Sequence, residues 1–167
     1  QIDRHGVVVA AHQHALQGLA GAGVDFLVRH RGRHENEIAR AGRATDGQCP
    51  SSPSVYNFLP FVELLLEKLP DLSAIVETTL LPTFCYARSY AHGERLEPHF
   101  DRPAGEGGVT GHLSSDMPWP VHFGSPDGRS NAIDLSPGAA AIYLGCATRH
   151  WRDAFPGQAY QQVFLHY

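Results

Sequence analysis

Short β-branched and aromatic runs alternate with Gly and Pro turns from residue 80 to residue 167, and this pattern sets the architecture. The runs are 80–90 (LLPTFCYARSY), 96–101 (LEPHFD), 109–113 (VTGHL), 120–123 (PVHF), 132–135 (AIDL), 139–144 (AAAIYL) and 161–167 (QQVFLHY). His92-Gly93, Gly105 to Gly108, Asp127-Gly128, Pro137-Gly138 and Pro156-Gly157 punctuate them. Short strands with regular turns specify a sandwich or jelly roll. GEGG at 105–108 precedes a strand rather than a helix, so it is a turn and not a phosphate loop.

The first 72 residues read differently. Residues 7–20 (VVVAAHQHALQGLA) are Ala-rich and suggest a helix ended by Gly21 and Gly23. Residues 24–29 could form a short strand, and the polar stretch 30–54 reads as a long loop. Residues 56–69 (YNFLPFVELLLEKL) give the strongest helix signal, with Pro70-Asp71 as its stop. The expected fold is therefore mainly β with N-terminal helices. The chain reads as one domain over 1–167, with 1–72 supporting a jelly-roll core at 73–167. At 167 residues and 43% hydrophobic, the chain has enough apolar material for one core.

Charge and cysteine content remove several function classes. The net charge of −4 argues against nucleic acid or anionic membrane as a partner. No apolar run reaches membrane-spanning length. No export signal is visible, so a reducing cytoplasm is the expected compartment. Cys49, Cys85 and Cys146 lie far apart with no CxxC, which fits neither a disulfide scaffold nor a thiolate zinc site. Cys85 and Cys146 sit in apolar runs and read as small buried hydrophobes.

Histidine is abundant, with 11 residues. The informative group is His99-Phe100-Asp101. An H-x-D triplet arises by chance about 0.6 times in a chain of this composition, so its context decides its value. Strand alternation puts Glu97, His99 and Asp101 on one face, with Leu96, Pro98 and Phe100 on the other. A neutral imidazole and a carboxylate on one strand supply two ligands for a divalent ion. His150, just past the strand-like AAAIYLG, is the candidate third ligand. Two His and one carboxylate make a facial triad of the kind found in non-haem Fe(II) oxygenases.

Other histidines have plainer readings. His92-Gly93-Glu94 falls in a turn and reads as solvated. His12 and His14 point to different sides of a helix. His112 and His122 read as sheet-face positions, and His166 as packed rather than catalytic. Trp119 and Trp151 are as consistent with core packing as with a cavity lining. The basic stretch 28–34 reads as a solvated loop.

LLPTFCYARSYAHGERLEPHFDRP, MPWPVHF, LSPGAAAIYLGCATRHWRDAFPG and QQVFLHY occur in that order. From about Leu80 to Tyr167 the chain thereby resembles the 2-oxoglutarate/Fe(II)-dependent oxygenases, particularly the prolyl 4-hydroxylase-like branch. The resemblance implies a double-stranded β-helix, with Fe(II) held by His99, Asp101 and His150. It implies 2-oxoglutarate and O2 as cosubstrates, release of succinate and CO2, and hydroxylation of an aliphatic C–H. The substrate would be an amino-acid side chain, peptidyl or free, or a related small metabolite. The presence of Asp101, rather than a small residue, favours hydroxylation over halogenation. The branch usually places its 2-oxoglutarate-anchoring cation where this chain has Tyr160, followed by Gln161 and Gln162. Arg152 is the first substitute, sharing a face with His150 if 149–153 is extended, and Arg88 is the second. Tyr90, nine residues before His99, stands where relatives place a tyrosine on 2-oxoglutarate. The one lysine, Lys68, lies outside the barrel half. Two other readings stay open: a cupin-like metal protein that does not use 2-oxoglutarate, and a catalytically silent 2-oxoglutarate sensor.

Overall fold

The computed structural model describes residues 48–125 and 128–167 and the backbone of Val7–Val8. Strands β1 (Val7–Val8) and β2 (Ser54–Tyr56) precede helix α1 (Leu59–Ile75). Then follow β3 (Phe84–Ala91), β4 (Leu96–His99), a 3-10 turn at Pro103–Gly105, β5 (Gly107–Ser115), β6 (Val121–Gly124) and β7 (Ser130–Ile133). β8 (Ala140–Leu144), β9 (His150–Arg152) and β10 (Ala159–His166) complete the described chain. Two sheets form, six strands in the order β1-β8-β5-β10-β3-β2 and four in the order β4-β9-β6-β7. Every pairing is antiparallel. The result is the expected mainly-β, jelly-roll type of core.

Each strand of the larger sheet serves two environments, because alternate side chains point to opposite faces. Cys85, Ala87, Val109, Ile142, Val163 and Leu165 point outward and cluster with Phe61, Leu64, Leu65 and Leu72 of α1. The inward positions carry Tyr86, Arg88 and Tyr90 on β3, and Gln162 and His166 on β10. The smaller sheet adds Val121 and Phe123, packed with Leu135, Ala141 and Tyr143.

All seven runs contain a strand, and the structure adds three more: β1, β2 and β9. Residues 7 and 8 do not begin a helix but pair with Tyr143 and Ile142 as an edge strand. The rest of 9–20, the stretch 24–29, and 30–47 of the expected loop lie outside the described residues, as do His12, His14 and 28–34.

Helix α1 starts at Leu59, three residues later than expected. Ser54, Val55 and Tyr56 pair with β3 instead. Asn57 turns the chain at φ 48°, and its backbone N–H and side-chain carbonyl both bond to Cys85. Pro60 then fits the first turn, where its missing N–H costs nothing. The helix also runs through Pro70 to Ile75 rather than stopping there. Its buried stripe Phe61, Leu65, Lys68 and Leu72 continues past the proline. Burying Leu72 against the sheet offsets one lost backbone hydrogen bond.

Candidate metal centre

β4 and β9 run side by side and place His99 directly opposite His150. Their rings lie 4.2 Å apart. Asp101 follows β4, tied down by its own N–H to the Gly145 carbonyl at 2.9 Å. Its Oδ1 stands 3.8 Å from His99 Nε2 and 3.6 Å from His150 Nε2. One ligand atom from each of the three residues falls within 4.8 Å of the others.

The tautomers follow from the backbone. His99 Nδ1 donates to the Glu97 carbonyl at 2.8 Å, and His150 Nδ1 donates to the Thr148 carbonyl at 2.9 Å. A carbonyl only accepts, so each Nδ1 carries the proton and each Nε2 presents a lone pair. Burial lowers the pKa of His150, assisted by the neighbouring His99, so that ring is held neutral. Two imidazole lone pairs and a carboxylate oxygen thus converge with no proton donor between them. That donor set attracts a cation, and N2O from one face is the set that iron oxygenases use. The backbone carbonyls orient the rings as an outer shell should.

Strand alternation alone describes this site incompletely. An irregularity between Leu96 and His99 shifts the phase of β4. Leu96 is therefore buried with His99 on the inner side, while Glu97 points to solvent and meets Arg95 at 3.6 Å. Glu97 does not share the metal face as alternation implied. Phe100 is 55% exposed and sits at the cavity rim.

A cavity of about 310 Å³ opens over His99, Asp101 and His150. Tyr56, Phe84, Tyr86, Tyr90, Phe164 and His166 also line it, and Tyr143 lies beside His150. The rings pack against one another, Tyr56 and Tyr86 tilted with centroids 4.5 Å apart and Phe84 and His166 stacked at 4.3 Å. Tyr143 packs 4.7 Å from the His150 ring. Burial, then the Asp101 charge, pushes its phenol well above the usual tyrosine range. Gly108 leaves the space that the Tyr143 ring fills, and Gly145 the space that the Asp101 carboxylate fills. Tyr143 and Gly145 were not picked out in the sequence, His166 was read as packed rather than catalytic, and Gly108 as part of a turn. For Tyr143 and His166 the signal is an inward phase on β8 and β10, visible once register is known.

Tyr90 lines the same cavity and is fully buried. Burial raises its phenol above the usual range, which keeps it a donor. The two candidate cations lie further in. β9 is extended, so Arg152 does share a face with His150, and both are buried. Its guanidinium lies over Trp119 and Tyr160 at 4.7 and 4.8 Å, and bonds the Trp119 carbonyl and Tyr160 hydroxyl. Arg152 thus reaches Tyr160 of β10 from the opposite sheet. Arg88 sits behind the aromatic wall, 5.0 Å from the Tyr86 ring and 5.4 Å from Tyr90, and donates to the Tyr86 hydroxyl.

The remaining candidates have structural partners. His92, in the turn at Gly93, bonds the carbonyls of Pro156 and Gly157, and Glu94 accepts from the Ser51 N–H at 2.9 Å. His122 stacks on Trp151 and faces Asp153 at 3.3 Å. Trp119 donates to the Asp153 carbonyl at 2.8 Å. His112 is buried, donates to the Leu135 carbonyl at 2.5 Å and stacks on Tyr160. Cys146 is exposed rather than buried, because it falls in the turn after β8.

No protein-family model matches the sequence, and no curated protein sequence matches it. Solved structures do. A Pseudomonas putida prolyl-4-hydroxylase superposes with a TM-score of 0.70 at 11% identity, over 90% of this chain and 98% of that one. The viral collagen prolyl hydroxylase of Paramecium Bursaria Chlorella virus-1 gives 0.60 at 9% identity, over 86% and 89%. A Trichoplax adhaerens prolyl hydroxylase, solved with a hypoxia inducible factor peptide, gives 0.59 at 9%, over 90% and 78%. The chain has the fold of the 2-oxoglutarate/Fe(II) oxygenases in its prolyl-4-hydroxylase-like form.

Proposed function

We propose that the protein is a 2-oxoglutarate- and O2-dependent Fe(II) dioxygenase. It hydroxylates an unactivated aliphatic C–H of an amino-acid side chain, peptidyl or free, or of a related small metabolite. The observation that carries this reading is the convergence of His99 Nε2, His150 Nε2 and Asp101 Oδ1 at the mouth of a cavity. The shared fold supports it, and the peptide held by the Trichoplax enzyme supports a peptidyl substrate. Residues 1–167 are read as one oxygenase domain.

In this reading His99, Asp101 and His150 hold the iron from one side and leave its other positions open. Bound iron and 2-oxoglutarate supply O2 activation and C–H oxidation, with succinate and CO2 released. The protein binds and shields. Tyr90 donates its hydroxyl to a carboxylate of 2-oxoglutarate, and a buried guanidinium supplies the opposing charge. Arg152 is the first choice for that charge and Arg88 the second. The ring wall from Tyr56 to His166 gives the cavity an aromatic side. Loops over such a rigid scaffold carry substrate choice, and the segment 102–108 beside Asp101 is one of them.

The test is anaerobic addition of Fe(II) and 2-oxoglutarate to the wild type and to His99→Ala. A visible charge-transfer band in the wild type alone is expected. No band in the wild type overturns the 2-oxoglutarate reading and leaves the cupin-like alternative. A band without succinate on adding O2, across peptide and amino-acid panels, selects the sensor.

A further inference from the structure

His166 is 7% exposed, on the inner face of β10, and opens onto the metal cavity. Its ring stacks on Phe84 at 20° between planes. It is not among the three grouped ligands. Its Nδ1 is buried and has no hydrogen-bond partner among the described residues, and the same holds for Asp101 Oδ2. Two buried polar atoms left open in one small region need an account.

Two glycines connect them. A Cβ on Gly105 would strike His166 Nδ1 and approach the Asp101 Cβ at 3.5 Å. A Cβ on Gly145 would strike Asp101 Oδ2. Both positions therefore keep carbon out of the space around the imidazole and the carboxylate. Asp101 Oδ1 is the oxygen that faces His99 and His150. Oδ2 is thus the oxygen left over, and it can only accept. A neutral imidazole with its proton on Nδ1 supplies one donor.

We propose that His166 is a positioning residue for Asp101, its Nδ1–H reaching Oδ2 through one water, so that Oδ1 alone meets the metal. The inference rests on the metal reading above and on no step of the oxygenase reaction. Ligating carboxylates are oriented by such partners, whose loss typically weakens metal binding about 10–100-fold.

The test titrates Co(II) into the metal-free full chain and follows its visible absorption and heat. His166→Phe keeps the stack on Phe84 and removes the N–H, so the Co(II) Kd is expected to rise about 10–100-fold. His166→Asn restores an N–H near Nδ1 and is expected to return to within about threefold of wild type. Gly105→Ala displaces the ring and is expected to weaken binding in the same direction. A folded His166→Phe with wild-type affinity overturns the proposal. So does a folded His166→Asn as weak as the Phe variant. If His166→Phe does not fold, unchanged affinity in Gly105→Ala overturns it. Expected Co(II) affinities without a 2-oxoglutarate band would sink the oxygenase reading and leave this one standing. A wild type that takes up no Co(II) removes both.

Discussion

His99 and His150 face each other across β4 and β9, and each is turned by the backbone carbonyl two residues before it, Glu97 for one and Thr148 for the other. The same short loop of ring to carbonyl sets both tautomers. The site is therefore prepared to ligate before any ion arrives. Ala substitution at His99, Asp101 or His150 should weaken Co(II) binding by more than about a hundredfold, beyond the loss of an outer-shell partner. Equilibrium titration checks this, and retention of tight binding in any of the three removes that residue from the ligand set.

The 2-oxoglutarate contacts separate by their effect on cosubstrate requirement. Losing a hydrogen bond to a charged group costs about 1.5–3 kcal/mol, roughly ten- to hundredfold in affinity. Tyr90→Phe should raise the 2-oxoglutarate KM by about the lower figure. Arg152→Ala should raise it by at least the upper. If only Arg88→Ala does so, the anchor belongs to β3 and not β9.

Gly145→Ala tests the close packing around Asp101. The added methyl would meet Asp101 Oδ2, Asp101 Cβ and the backbone carbonyl of Gly105, so a carboxylate rotation alone does not make room. Overpacking of this kind costs about 1–3 kcal/mol. A lowered Tm together with weakened Co(II) uptake is expected. An unchanged Tm would show that the turn after β8 yields freely.

The metal-free protein should lose stability as pH falls. Burial lowers the pKa of His112 and His150, and takes His166 down to about 4. The unfolded chain takes up protons near pH 6.5 while these folded rings do not. The His166 contribution is thus full above about pH 6.5, declines between there and about 4, and levels off below, and His112 and His150 act in the same direction. His166 alone accounts for a decline on the order of 3 kcal/mol. Asp116, whose carboxylate is held below the usual range by the Gln158 and Ala159 N–H groups, contributes only at the acid end of that window. Urea melts from pH 8 to 4.5 check the slope, and His166→Phe should flatten it.

Leu72→Ala should cost about 2–5 kcal/mol, the range for a buried leucine. Leu72 is 1% exposed and lies two residues beyond Pro70. A helix that ended at the proline would leave it little to lose, so a change near zero by chemical denaturation would contradict the packed continuation of α1.

The strands from Phe84 onward, β9 apart, were legible because their apolar runs and Gly/Pro turns are local signals. The grouping of His99, Asp101 and His150 was legible because H-x-D lies within one short segment and HWR follows a recognisable strand. What escaped depends on pairing. Tyr56 joined β2 because Tyr86 was there to receive it, and α1 crossed Pro70 because Leu72 had a sheet to cover. Glu97 left the metal face through an irregularity that only the β4–β9 register reveals. His166 read as ordinary packing because nothing near it in sequence points to Asp101.

The two faces of β10 divide its residues between different kinds of consequence. Val163 and Leu165 belong to the core under α1, whereas Gln162 and His166 are buried on the inner side of the barrel. A substitution scan along this single strand should therefore sort into interleaved phenotypes. Odd positions would report through abundance and melting. Phe164 and His166, which line the cavity, would report through ion uptake and selectivity. Adjustment of the chemistry and maintenance of the scaffold could then proceed one residue apart with little mutual interference.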